Sequence, residues 1–164
     1  MKFGFSIALS FLNFNMNKKP IFLSLIVLCV AFSALAQGQW TPERMKERIL
    51  SQVGRETATD STRVHDPVMI QGDDGRFYLF TTGWGVSMFS SEDRKTWRSE
   101  KPIFLDPPAW AKDTVPGYNG HTWAPDVAFH NGWFLVYYSV STFGKNRSAI
   151  GVVSNATLNP EHPN

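Results

Sequence analysis

Two stretches of this chain repeat one another, and that repetition limits the fold more than any other feature. "DPVMIQGDDGRFYLFTTGWGVSMFSSED" starts at Asp66 and "PDVAFHNGWFLVYYSVSTFGKNRSAIGVVSNAT" at Pro125, an offset of about 60 residues. The two share the order and lengths of their apolar runs and the position of the first turn. Gly72-Asp73-Asp74-Gly75 separates "PVMIQ" from "RFYLFTT", and Asn131-Gly132 separates "PDVAFH" from "WFLVYYSVS"; glycine-rich or Asn-Gly pairs between apolar runs signal hairpins. "GVSMFSS" and "TWRSEKPIF" complete the first set, and "SAIGVVS" follows the loop "TFGKNR" in the second. Repeated units of four antiparallel strands predict an all-β chain built of propeller blades. Such a unit cannot bury both faces alone, and a propeller ring needs at least four units to close. The chain supplies one blade and about three quarters of a second, stopping at "NATLNPEHPN" where an outer strand is due. The pattern therefore predicts the N-terminal part of a longer protein, which alone would expose apolar sheet faces.

The first 36 residues stand apart. From Met16, the expected initiator, Lys18 and Lys19 precede an apolar run from Ile21 to Phe32, and Ala34-Leu35-Ala36 precedes Gln37. A basic start, a short apolar run and an A-x-A site describe a secretory signal peptide, and about a dozen apolar residues fall short of the roughly 20 that cross a membrane. Residues 1–36 hold three of the 16 basic residues and no acids, leaving 13 against 14 and a net charge of −1. That balance gives no footprint for nucleic acid. The sole cysteine, Cys29, lies in the same segment, so no disulfide is expected in the exported part. Export to a secreted or periplasmic location, no membrane attachment after cleavage and a monomeric state are the expectations. Residues 37–63 are expected to form a helix and a linker: Thr41 as cap, Pro42 in the first turn, Met45, Ile49 and Val53 at a spacing of four, then "GRETATDSTR" without periodicity. Residues 64–164 hold the strands, interrupted by "LDPPAWAKDTVPGYNGHT" (105–122), a connection long enough to suggest function.

Nucleotide-binding glycine motifs, Cys/His metal spacings and nucleophile elbows are all missing from the sequence. The candidates are carboxylates, aromatics and loop glycines. Asp66, between His65 and Pro67, is expected at the first residue of an inner strand, aiming its carboxylate toward a central channel; the alternative is an Asx cap on a turn. Asp126, in "HTWAPDV", holds nearly the equivalent place in the second repeat, as a catalytic group or in an Asx-type turn or bond to neighbouring backbone. Trp123 and Phe143 are expected on loops at the channel mouth, where flat rings pack on a sugar's C–H face, with core packing as the alternative. His65 and His121 could hydrogen-bond sugar hydroxyls.

"VHDPVMI", "YLFTTGWGVSMFSSEDRKTW", "GHTWAPDV" and "YYSVSTFGKNRSAIGVVSNATLNP" together resemble the N-terminal portion of glycoside hydrolase family 43, especially its endo-acting α-1,5-L-arabinanases. The resemblance runs from about Arg63 to Asn164. It implies a five-bladed β-propeller with the active site in an axial groove, arabinan or arabino-oligosaccharide as substrate, and inverting hydrolysis by three carboxylates. It makes Asp66 the general base, Gly144 a glycine lining the substrate site, Trp123 a neighbour of substrate, and Asp126 structural. The general acid, the carboxylate that tunes its pKa and the histidine that helps hold an axial calcium ion belong to later blades, so no cofactor is expected within this chain and the chain alone is expected to be inactive. An arabinofuranosidase or β-xylosidase of the same family, or a non-catalytic carbohydrate-binding propeller, are the alternative readings.

Overall fold

The computed structural model describes residues 41–163; the signal peptide expected over residues 1–36 lies outside them. Helix α1 (Pro42–Leu50) begins as the sequence dictates, with Thr41 Oγ1 accepting from the Arg44 amide and Pro42 in the first turn. Its partly buried residues include Met45 and Ile49, continued by Val53 in the turns after the helix. Lys46 pairs with Asp106, tying the helix to the long connection.

The described strands form two antiparallel sheets. The first has the order β1-β6-β5-β3-β2, with β1 Glu56–Ala58, β2 Val68–Gln71, β3 Phe77–Thr81, β5 Ser87–Ser91 and β6 Thr96–Ser99. The second has the order β4-β7-β8-β9, with β4 Gly83–Trp84, β7 His121–His130, β8 Trp133–Ser141 and β9 Ser148–Asn155. The repeat read from the sequence is thus present as two sheets.

Four details correct the sequence reading. The linker over residues 54–63 is not structureless: β1 pairs with β6, followed by one 3-10 turn (Thr59–Ser61). Thr59 anchors it, its hydroxyl lying 3.0 Å from Trp97 Nε1 and 2.8 Å from the Arg94 carbonyl. The reason is cross-strand pairing, which overrides the lack of local periodicity. Thr59→Ala should cost about 1 kcal/mol, the net worth of a hydrogen bond, and should speed amide exchange in β1; chemical denaturation and hydrogen exchange read the two effects. Gly83-Trp84, lying between the expected strands "RFYLFTT" and "GVSMFSS", is itself a short strand by which the first repeat joins the second sheet, Gly83 facing Thr122 and Trp84 facing His121. The long connection contains helix α2 (Ala109–Thr114), and its last two residues already belong to β7. Trp123 accordingly lies on a strand rather than a loop.

The core lies between the sheets. Tyr78, Phe80, Val86 and Met88 from the first repeat meet Phe134, Val136, Tyr138 and Val140 from β8, with Ala111, Val115 and Tyr118 of the connection and Leu158 closing the cluster. β8 shows the period of two expected of a half-buried strand: these four residues point inward, while Trp133 and Tyr137 are exposed on the other face. Ile150 and Val152 of β9 extend that exposed apolar face. Gly85 fixes how closely the parts approach: its φ is +62°, and a Cβ there would fall 1.8 Å from the Phe104 carbonyl oxygen.

Candidate active site

The β2–β3 hairpin positions Asp66. Asp74 holds its turn, accepting from the Arg76 amide at 3.1 Å, Arg76 Nε at 2.7 Å and Tyr78 Oη at 2.7 Å. Burial works against ionisation of Asp74, but these hydrogen bonds outweigh it and hold the carboxyl below its ordinary value. Asp73 accepts from Thr157 Oγ1 at 3.0 Å, so both turn aspartates have structural work. With the turn fixed, the register follows: Val68 faces Phe80 and Gln71 faces Phe77. Extending it by two residues sets Asp66 opposite Thr82.

Asp66 itself lies two residues ahead of β2, correcting its expected place as the strand's first residue. Pro67 offers no amide to extend the ladder; the Thr82 amide donates instead to the His65 carbonyl at 3.0 Å. The backbone at Asp66 is left-handed, with φ +50°, a conformation that aspartate tolerates better than most residues. Thr82 Oγ1 donates to Asp66 Oδ2 at 2.7 Å, and His65 Nδ1 lies 2.7 Å from the same oxygen. These two hydrogen bonds, Thr82's first, lower the Asp66 pKa from its ordinary value. The side chain is 39% exposed, so the carboxylate is both ionised and open to solvent.

The second sheet reaches this carboxylate through backbone. A β-bulge puts one extra residue into β7 between Trp123 and Asp126, and Ala124 within it has φ +42°. Its amide donates to Thr82 Oγ1 at 2.8 Å. Next to it, the Trp123 ring stacks on Phe143 with centroids 6.2 Å apart and planes 17° from parallel. Phe143 is 86% exposed at the tip of the β8–β9 loop, and Gly144 beside it has φ +72° with open space where a Cβ would lie. His121 packs obliquely on Trp123, and desolvation lowers its pKa, leaving a neutral imidazole at pH 7.

Asp66, His65, Trp123, Phe143 and Gly144 are therefore linked through the contacts of Thr82 and Ala124 and the Trp123–Phe143 stack. Asp126 is not part of that linkage: it is exposed and accepts from the amide of its neighbour Val127 at 2.9 Å, a local bond to backbone. Thr82 was missed by sequence reasoning, although counting the hairpin register outward from the Gly72–Gly75 turn places it opposite Asp66. Among the described residues no group of three or more His, Cys, Asp or Glu is placed to hold a metal ion.

The model of glycosyl hydrolases family 43 matches residues 59–163. Over 100 residues the chain is 54% identical to an extracellular exo-α-(1→5)-L-arabinofuranosidase of Cellvibrio japonicus, a match covering 61% of this chain and 28% of that protein. It is 40% identical over 99 residues to the extracellular endo-α-(1→5)-L-arabinanase 1 of Bacillus subtilis, covering 58% and 30%. Among solved structures, an α-L-arabinanase of Cellvibrio cellulosa superposes with a TM-score of 0.59 at 51% identity, over 63% of this chain and 32% of that one. An exo-1,5-α-L-arabinanase from a bovine ruminal metagenomic library gives 0.58 at 49% identity, over 67% and 34%. The chain thus spans about a third of the length of these relatives.

Proposed function

The chain belongs to glycosyl hydrolases family 43, and from that premise we propose that it carries the general base of a secreted glycosidase that cleaves α-1,5-linked L-arabinan with inversion. One observation carries the reading: an exposed, ionised aspartate, held by two hydrogen bonds, linked through Thr82 and Ala124 to an aromatic stack. Inversion needs a carboxylate that takes a proton from water and a protonated carboxyl across the scissile bond, roughly 6.5–9.5 Å away. Asp66 fits the first role, because its environment favours the charged form. The acid and the carboxylate that tunes it are supplied from outside these 164 residues, in a five-bladed propeller of which the two sheets are the first blades. These residues alone are then inactive, because nothing protonates the leaving oxygen.

Secretion is supported by the two relatives named as extracellular and by the leader pattern; among the described residues no helix is long and apolar enough to cross a membrane. Trp123 and Phe143 form a flat surface for sugar rings. Trp123→Ala should raise KM about five-fold with kcat little changed, taking roughly 1 kcal/mol for a lost ring contact; steady-state kinetics on arabino-oligosaccharides reads the split.

The resemblance first read from the sequence favours endo action, whereas the higher identity, 54% against 40%, is to the exo-acting relative. A second reading is therefore exo-acting release from the same polymer. Incubating the full-length enzyme with linear arabinan decides both points. Arabino-oligosaccharides or arabinose must appear, and their length distribution over time separates mid-chain cleavage from end release. Absence of any product from arabinan would overturn the proposed substrate.

A further inference from the structure

We propose that Thr82 is a positioning residue for the base, a hydroxyl relay by which the β7 bulge of the second sheet orients the Asp66 carboxylate on the first. The proposal rests on the reading of Asp66 given above and goes beyond it by assigning a residue and a coupling between sheets.

The argument is one of hydrogen-bond valence. A threonine hydroxyl has one proton to give and lone pairs to receive. The Ala124 amide donates to Thr82 Oγ1 at 2.8 Å, so that oxygen is acting as an acceptor on its β7 side. Its proton is then directed at Asp66 Oδ2, 2.7 Å away. The relay has fixed polarity, from backbone amide to hydroxyl to carboxylate, and reads the carboxylate as the charged form. A protonated Asp66 would have to turn its own O–H elsewhere or break the pattern.

The backbone on both sides is unusual. Asp66 at φ +50° and Ala124 at φ +42° are two of the five described non-glycine residues with positive φ, and this one hydroxyl joins them. Thr82 is itself held by its amide bond to the His65 carbonyl, and it follows directly on β3 and precedes β4, the point where the chain passes from one sheet to the other. Strained backbone persists where the surroundings over-determine it, and it concentrates at functional sites. Here the over-determination is visible as a hydroxyl fixed by two partners on a residue whose backbone amide is held by a third. Of the titratable groups, His65 is the one the structure sets against Asp66, through Nδ1 on the same oxygen. Thr82 thus supplies the half of the carboxylate's support that does not itself titrate.

The test is Thr82→Val, which keeps the shape and removes the hydroxyl, in the full-length enzyme, with Thr82→Ser as the conservative variant that retains it. Thr82→Ala is the second removal variant should Val fail to fold. Two readouts are taken: the Asp66 carboxyl titration by carbon-13 NMR, and the pH profile of kcat/KM on arabino-oligosaccharides. The proposal expects the Val or Ala variant to titrate Asp66 at higher pH, to move the acid limb of kcat/KM upward with it, and to lose about ten-fold in kcat, the scale of one hydrogen bond to a charged group, with KM unchanged. The Ser variant should restore all three. An Asp66 titration that is the same with and without the hydroxyl would overturn the relay. A titration that moves while the acid limb stays fixed would overturn instead the assignment of Asp66 as base, so the two failures are distinguishable.

Discussion

Asp66→Asn is expected to lower kcat on linear arabinan by roughly 10²- to 10⁴-fold, the range a positioned general base contributes. The amide preserves size and can still accept from Thr82 Oγ1, so the hairpin and the relay geometry are kept; what is lost is the negative charge that takes a proton from water. Substrate affinity should change little, because the substitution leaves the Trp123–Phe143 stack, the proposed sugar surface, untouched. The signature is therefore a fall in kcat at nearly constant KM, an interaction made only in the transition state. Calorimetric titration with an arabino-oligosaccharide checks that binding survives. Unchanged turnover would remove Asp66 from the mechanism.

The second large effect concerns stability. Phe80 is 1% exposed in the middle of the first sheet, facing Val68 on β2 and Met88 on β5. Phe80→Ala should cost about 3–5 kcal/mol. Phe80 also borders a cavity of about 410 Å³ that Met88, Phe134 and Val136 line, so truncation widens a gap between the two sheets. The loss should appear in the chemical denaturation midpoint, with little change of slope. A midpoint within the error of the wild-type value would contradict the placement of Phe80 in the core that both sheets share.

Much of this organisation was legible in the sequence, and the parts that were not have physical reasons. The turns Gly72–Gly75 and Asn131–Gly132 could be read because their residues suit conformations that others resist; Asn131 and Gly132 have φ values of +49° and +81°. The alternation along β8 could be read because one face is buried. β1 could not, since three residues of "ETA" carry no period and owe their strand to pairing with β6. β4 carries no local signal of its own, since its role is set by pairing with Thr122 and His121, nearly 40 residues away in the chain. Asp66 could be singled out from its setting in "VHDPV", but not its support. Thr82 looks like any strand-end threonine until the register is counted, and the Ala124 amide that completes the relay is backbone, which no residue pattern encodes. Trp123, expected on a loop, lies on β7, because the bulge at Ala124 accommodates the following Ala-Pro pair inside the strand.

The central claim is that Asp66 activates a water on the face of the sugar opposite the leaving group. Proton NMR of the first-formed product of the full-length enzyme tests it most directly, recorded on a linear α-1,5-arabino-oligosaccharide before the new reducing end mutarotates. Inversion predicts that the β-anomer appears first and the α-anomer grows in only by mutarotation. First appearance of the α-anomer would mean retention, which requires a nucleophilic carboxylate about 5–5.5 Å from the acid, and would contradict the role assigned to Asp66.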